Sequence, residues 1–121
     1  MEKANELATL LIKSRSLGHV AHWATDSFSK HMALGEFYEG LTDLMDTFVE
    51  QYQGYYGKRL EVAIDKCDLQ ENVANELEGH MEWIEKYRYQ VCEKSETALQ
   101  NTIDEIVKLY QITIYKLRML K

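Results

Sequence analysis

Three histidines and four carboxylates are the side chains here whose types and spacing suit chemistry. His19 and His22 lie in the stretch HVAHW, which ends in Trp23, and His31 follows; Glu39, Asp43, Asp46 and Glu50 come after. Imidazole is the commonest metal ligand and titrates nearest neutral pH. Mixed imidazole and carboxylate oxygen is a donor set that ferrous iron accepts. On a helix turning about 100° per residue, with Leu34 at zero, the apolar stripe Leu34, Phe37, Leu41, Leu44 and Phe48 centres near about 320°. Glu39, Asp43, Asp46 and Glu50 then fall at about 140°, 180°, 120° and 160°, opposite the core. His31 lies on the flank at about 60° and Gly35 at about 100°. An acidic outer face is ordinarily just solvated. Residues 31–57, however, contain no Lys or Arg, and like charges four apart on a helix repel by about a few tenths of a kcal/mol each. A partner, protons or a metal cation is expected to neutralise this face. In the preceding helix the same geometry places His22 on the flank of the core stripe and turns His19 and Trp23 outward. The outward tryptophan predicts a second buried surface. His19 needs no role beyond a favourable interaction with the helix dipole.

The elements that must hold these residues are helical. The 121 residues include no proline and only six scattered glycines, too little punctuation for a strand-rich chain. One domain, 1–121, is expected. The first helix is predicted from about Lys3 to Ala24, with Leu7, Leu10, Leu17 and Ala21 at three- and four-residue steps and Leu11 widening the stripe. TDSFS offers four capping residues, and a second helix runs from about Ser29 to Tyr56, ended by Gly57. KRLEVAIDKC reads as a short extra helix or a broken extension of the second. DLQE has the form of a capping box, with Asp68 at the cap and Glu71 reaching back. It starts a third helix carrying Val73, Leu77, Met81, Ile84, Tyr87 and Val91. Ser95 is the expected cap of a fourth, with Leu99, Ile103, Ile106, Leu109, Tyr110, Ile114 and Leu117. Short connections make neighbouring helices antiparallel, giving an all-α four-helix bundle.

Charge and composition narrow the function. The 14 Lys+Arg against 20 Asp+Glu leave a net charge of -6, which disfavours DNA and anionic membranes as partners. No apolar run approaches a bilayer span and the N-terminus does not read as a signal peptide. Cys67 and Cys92 lack disulfide-scaffold density or CxxC spacing and read as packing residues in a reducing cytoplasm. Glu76 and His80 are four apart, but His80 sits beside the apolar stripe and reads as a satisfied core histidine.

Taken together, HVAHW, Phe28-x-x-His31 and Asp46-x-x-x-Glu50 resemble the Dps family, the mini-ferritins of the ferritin-like superfamily, and ITIYKLRML resembles that family's C-terminal ending. The resemblance implies a ferritin-like bundle forming a homo-oligomer, a dimer at least and a cage at most. It implies intersubunit sites in which His22 and His31 of one chain meet Asp46 and Glu50 of another. Iron bound there would be oxidised by peroxide or oxygen and sequestered, a ferroxidase activity protecting against oxidative stress, with zinc as a surrogate metal. If residue 31 faces residue 50 of the neighbour, Gly35 faces Asp46 and Glu39 lies near Asp43, lining the interface together with Trp23. The sequence departs from the family pattern in three respects. Gly35 stands where the family carries a carboxylate ligand, and Glu39 is a weaker substitute. The connections are shortened, and the lysine-rich DNA-holding tail is missing. Two other readings stay open: a non-catalytic interaction or structural protein whose acidic face binds a partner, and a zinc-binding bundle using His19 and His22.

Overall fold

Four helices form, α1 (Glu2–Ala24), α2 (Phe28–Tyr56), α3 (Val73–Val91) and α4 (Thr97–Met119). They are seen in a computed structural model that describes residues 1–69 and 71–121. The described residues contain no strand, so the expected all-α four-helix bundle is the observed one. The Thr25 N–H closes α1 on the Ala21 carbonyl. Two residues later the Ser27 hydroxyl accepts the Lys30 N–H at 3.3 Å and opens α2. Gly57 ends α2 in the left-handed region at φ 66°, a conformation that costs glycine little.

Each helix packs on two others, in the order α1, α2, α4, α3 around the bundle. The apolar stripes meet inside: Leu7, Leu11 and Leu17 from α1, Phe37, Leu41 and Phe48 from α2, Leu77 and Ile84 from α3, and Ile103, Ile106 and Tyr110 from α4 are all buried. Burial of a side chain of this size contributes about 1.5–3 kcal/mol. Gly18 lets α1 and α2 approach, since a Cβ there would lie 2.8 Å from Phe37 Cδ2.

The link between α2 and α3 differs from expectation. Residues 58–69 form no short helix but an extended strap lying along α1. The Glu61 N–H donates to Asn5 Oδ1 (2.8 Å), the Ala63 N–H to Thr9 Oγ1 (3.1 Å), and the Cys67 thiol faces the Lys13 carbonyl at 3.7 Å. The spacing explains the choice. Four residues of helix rise about 6 Å, close to two extended residues, so α1 presents side-chain acceptors at the strap's own repeat. The strap carries the chain back along the bundle, so α2 and α3 run parallel rather than as antiparallel neighbours, and each is antiparallel to α1 and α4. A bundle with one long crossover results. The caps of the last two helices also differ from expectation. Asn72, not Asp68, caps α3, its side chain accepting the Asn75 N–H at 3.1 Å; Gln70, inside the expected DLQE box, lies outside the described residues. Glu96, rather than Ser95, precedes α4 and makes no capping bond through its side chain, because that carboxylate instead accepts the Tyr56 hydroxyl.

Candidate functional site at the α1–α2 corner

The three-residue turn between α1 and α2 brings His22 and His31 face to face. Their rings stack with centroids 3.7 Å apart and planes 18° from parallel. The His22 Nδ1–H donates to the His31 carbonyl (2.7 Å), and the His31 Nδ1–H donates to the His22 carbonyl (2.8 Å). A carbonyl can only accept, so both Nδ1 atoms carry a proton, and in the neutral form of each ring the lone pair is on Nε2. Neither Nε2 has a hydrogen-bond partner among the described residues. Tying one ring nitrogen to a carbonyl while the other stays open is how proteins orient histidine ligands.

Gly35 lies against this clasp. A Cβ at that position would sit 3.1 Å from His22 Cε1 and 3.3 Å from Nδ1. A glycine inside a helix costs about 1 kcal/mol against alanine, and the imidazole lying on α2 is the local reason for it. His19 packs at the same corner. It stacks on Tyr38 at 4.0 Å and meets Trp23 at 4.2 Å, and Tyr38 turns an edge to His22 at 5.4 Å. Trp23 itself is 69% exposed, the outward placement its position predicts.

The acidic side chains also point where the periodicity puts them. Glu39, Asp43, Asp46 and Glu50 are all exposed, and none has an ion pair among the described residues. They do not join the histidines within one chain. At about 1.5 Å rise per residue, Asp46 and Glu50 lie about 22 and 28 Å along α2 from His31, and Glu39 about 12 Å. Among the described residues no three His, Cys, Asp or Glu side chains gather to hold a metal.

Sequence reasoning missed the apolar part of this surface. Phe28 is 78% exposed, and Val20, Met32, Ile112, Tyr115, Met119 and Leu120 are exposed with it, all towards the bundle end where α2 begins and α4 finishes. For α2 the signal was available: Phe28 and Met32 fall at about 120° and 160° on the same wheel, on the acidic face. The outer face of α2 is thus one stripe with an apolar head and an acidic body. No described helix is long and apolar enough to cross a membrane.

Elsewhere the expected structural residues are structural. His80 is buried with Ser14 and Tyr110, and Cys92 is buried among core side chains. Both cysteines are unpaired, and burial pushes the Cys92 thiol up to about 11.

Comparison with known proteins overturns the resemblance drawn from the histidine and carboxylate spacings. Residues 22–117, which include His22, His31, Asp46 and Glu50, match DUF5856, a family of unknown function. A protein of Enterobacteria phage T4, described as an uncharacterized 14.6 kDa protein in the mobD-ri intergenic region, is 29% identical over 116 residues, covering 95% of this chain and 88% of the relative. No solved structure matches. The misleading motifs are all three- and four-residue steps, which any amphipathic helix produces, so they carry little family information. The chain belongs to the DUF5856 family, not to the mini-ferritins.

Proposed function

We propose that this chain is a non-catalytic binding protein that docks a basic, amphipathic helix of a partner protein along the outer face of α2. The observation that carries this reading is the two-part stripe: exposed Phe28 and Met32 at its head, then four exposed carboxylates without ion pairs among the described residues. Large exposed apolar patches rimmed by polar groups mark interaction sites, with Trp23 as the aromatic anchor such sites favour. The acidic body selects Lys and Arg on the partner and steers its approach. It also opposes self-association on this face, because antiparallel α2 helices of two copies would set carboxylate against carboxylate. We place the protein in the cytoplasm, in keeping with its two unpaired thiols.

The test is anisotropy of a labelled helical peptide with leucines on one face and lysines on the other. Wild type binds it. The double variants Trp23→Ala, Phe28→Ala and Asp43→Lys, Asp46→Lys each weaken binding about tenfold or more, whereas Glu82→Lys, Glu85→Lys on α3 does not. Equal weakening by the α3 pair would show only non-specific charge attraction and would sink the reading.

A second reading is favoured by the paired, open Nε2 atoms of His22 and His31. Two copies would share a divalent metal, iron or zinc as surrogate, between these imidazoles and the neighbour's Asp46 and Glu50, the cation relieving the carboxylate repulsion. It makes a homodimer conditional on metal. Light scattering separates the two: a monomer at every metal concentration removes the shared site, and a zinc-dependent dimer abolished by His31→Ala supports it. The ferroxidase step rested on the mini-ferritin resemblance, whereas this shared site requires metal binding alone.

A further inference from the structure

Away from the docking face, the bundle end where α1 and α4 finish and α2 and α3 begin contains a cavity of about 480 Å³. Its floor takes one buried apolar side chain from each helix: Ala21, Leu34, Ala74 and Leu117. Its volume lies within the range of small-ligand sites. Alanines on two facing helices, α1 and α3, are what leave the space.

The mouth is polar. Lys30, Arg118 and Glu71 line it, and the Glu78 carboxylate stands against Arg118, so Lys30 is the lining cation without a counter-charge among the described residues. Lys30 has no ion pair among the described residues, while the Arg118 guanidinium is held by Glu78 (3.0 Å) and Asn75 (2.8 Å). Asn72 uses its side chain on the Asn75 N–H. The N–H groups of Val73 and Ala74, which line the cavity, are left without an acceptor among the described residues. The carbonyl ends of α1 and α4 reach the same region, but the Thr25 and Leu120 N–H groups bond back to Ala21 and Lys116.

We propose that this cavity binds a small amphipathic anion, its apolar body on the Ala21, Leu34, Ala74 and Leu117 floor and its single anionic group beside Lys30 and Arg118. The aromatic probe anilinonaphthalene sulfonate has this chemistry, and decanoate is the competitor. The folded wild type is expected to enhance its fluorescence with saturation at one probe per chain, and decanoate to displace it. Ala74→Leu, which fills the floor, and Lys30→Glu, which reverses the mouth, each weaken the probe about tenfold. The Trp23→Ala, Phe28→Ala variant binds it as wild type does. Absence of saturable enhancement, failure of decanoate to compete, undiminished affinity in either cavity variant, or loss of binding in the corner variant overturns the proposal. Should Ala74→Leu lose its helical circular dichroism, the exposed substitution Lys30→Glu decides alone. Peptide anisotropy with Lys30→Glu keeps this outcome separate from the docking reading, which requires no change there.

Discussion

In the middle of the bundle both ring nitrogens of His80 face side-chain groups, whereas at its end His22 and His31 each give one nitrogen to a backbone carbonyl. The core arrangement is a run of two hydrogen bonds in one direction that ends opposite a carboxylate. The Tyr110 hydroxyl donates to Ser14 Oγ at 2.5 Å, Ser14 donates to His80 Nδ1 at 2.6 Å, and His80 Nε2 faces the Glu76 carboxylate at 3.6 Å. Three helices are stitched together with every donor directed. Burial is the first cause that lowers the His80 pKa below its ordinary 6.5, with Glu76 opposing it. At the corner the partners are backbone carbonyls, and the second nitrogen of each ring is left open. One imidazole is used up as structure; the other two are held in shape with capacity to spare.

The sharpest way to break this contrast is Ser14→Ala. It removes the acceptor of a fully buried Tyr110 hydroxyl and the donor to His80 in a single step. Leaving buried polar groups unsatisfied costs about 1–3 kcal/mol each, so urea denaturation should show a loss of about 2–4 kcal/mol. A loss no larger than that of His22→Ala, expected at about 1 kcal/mol for half-buried hydrogen bonds, would erase the distinction.

An intermediate effect is expected from pH. The folded-state pKa of His80 is depressed, so as pH falls below about 6.5 the unfolded chain takes up a proton before the native one does. The contribution of His80 to stability is therefore fully present above the unfolded value and declines as pH falls from 6.5 towards the lowered native pKa. Denaturation midpoints measured across that window should fall for wild type and flatten in His80→Gln. An equal slope in both proteins would assign the pH dependence to other groups.

The smallest effect in energy, though not in information, belongs to Gly35→Ala. Alanine gains about 1 kcal/mol of helix propensity, while its Cβ would press on the His22 ring at 3.1 Å. The two oppose, so net stability should change by less than about 1 kcal/mol, yet the His22 ring proton resonances should shift. Unchanged resonances would mean the imidazole does not lie on α2 as described.

Much of this fold was legible because helical periodicity is a local property. The limits of α1 and α2, the Gly57 stop, the inward stripe of α2, the exposure of Trp23 and of the four carboxylates, and the burial of His80 all follow from which side of a helix a residue occupies. The strap was not legible, because KRLEVAIDKC has helix-compatible residues and only the Asn5, Thr9 and Lys13 groups on α1 make the extended course preferable. The α3 and α4 starts were misplaced for a related reason, since several adjacent residues could cap and tertiary contacts chose among them. At the site, face geometry placed His22 and His31 on the flanks of their helices but could not show that the two touch, or that His19 stacks on Tyr38. Nor could it show that Gly35 is there for the ring above it rather than as a lost carboxylate.

Sequence alone thus determined the all-α class, the helix faces and the segregation of charge on α2, all properties of residues a few positions apart. Tertiary structure decided the parallel course of α2 and α3, the pairing of His22 with His31, the Tyr110–Ser14–His80 chain and the cavity at the bundle end. Each of these joins residues brought together by packing, and no local periodicity encodes which surfaces meet.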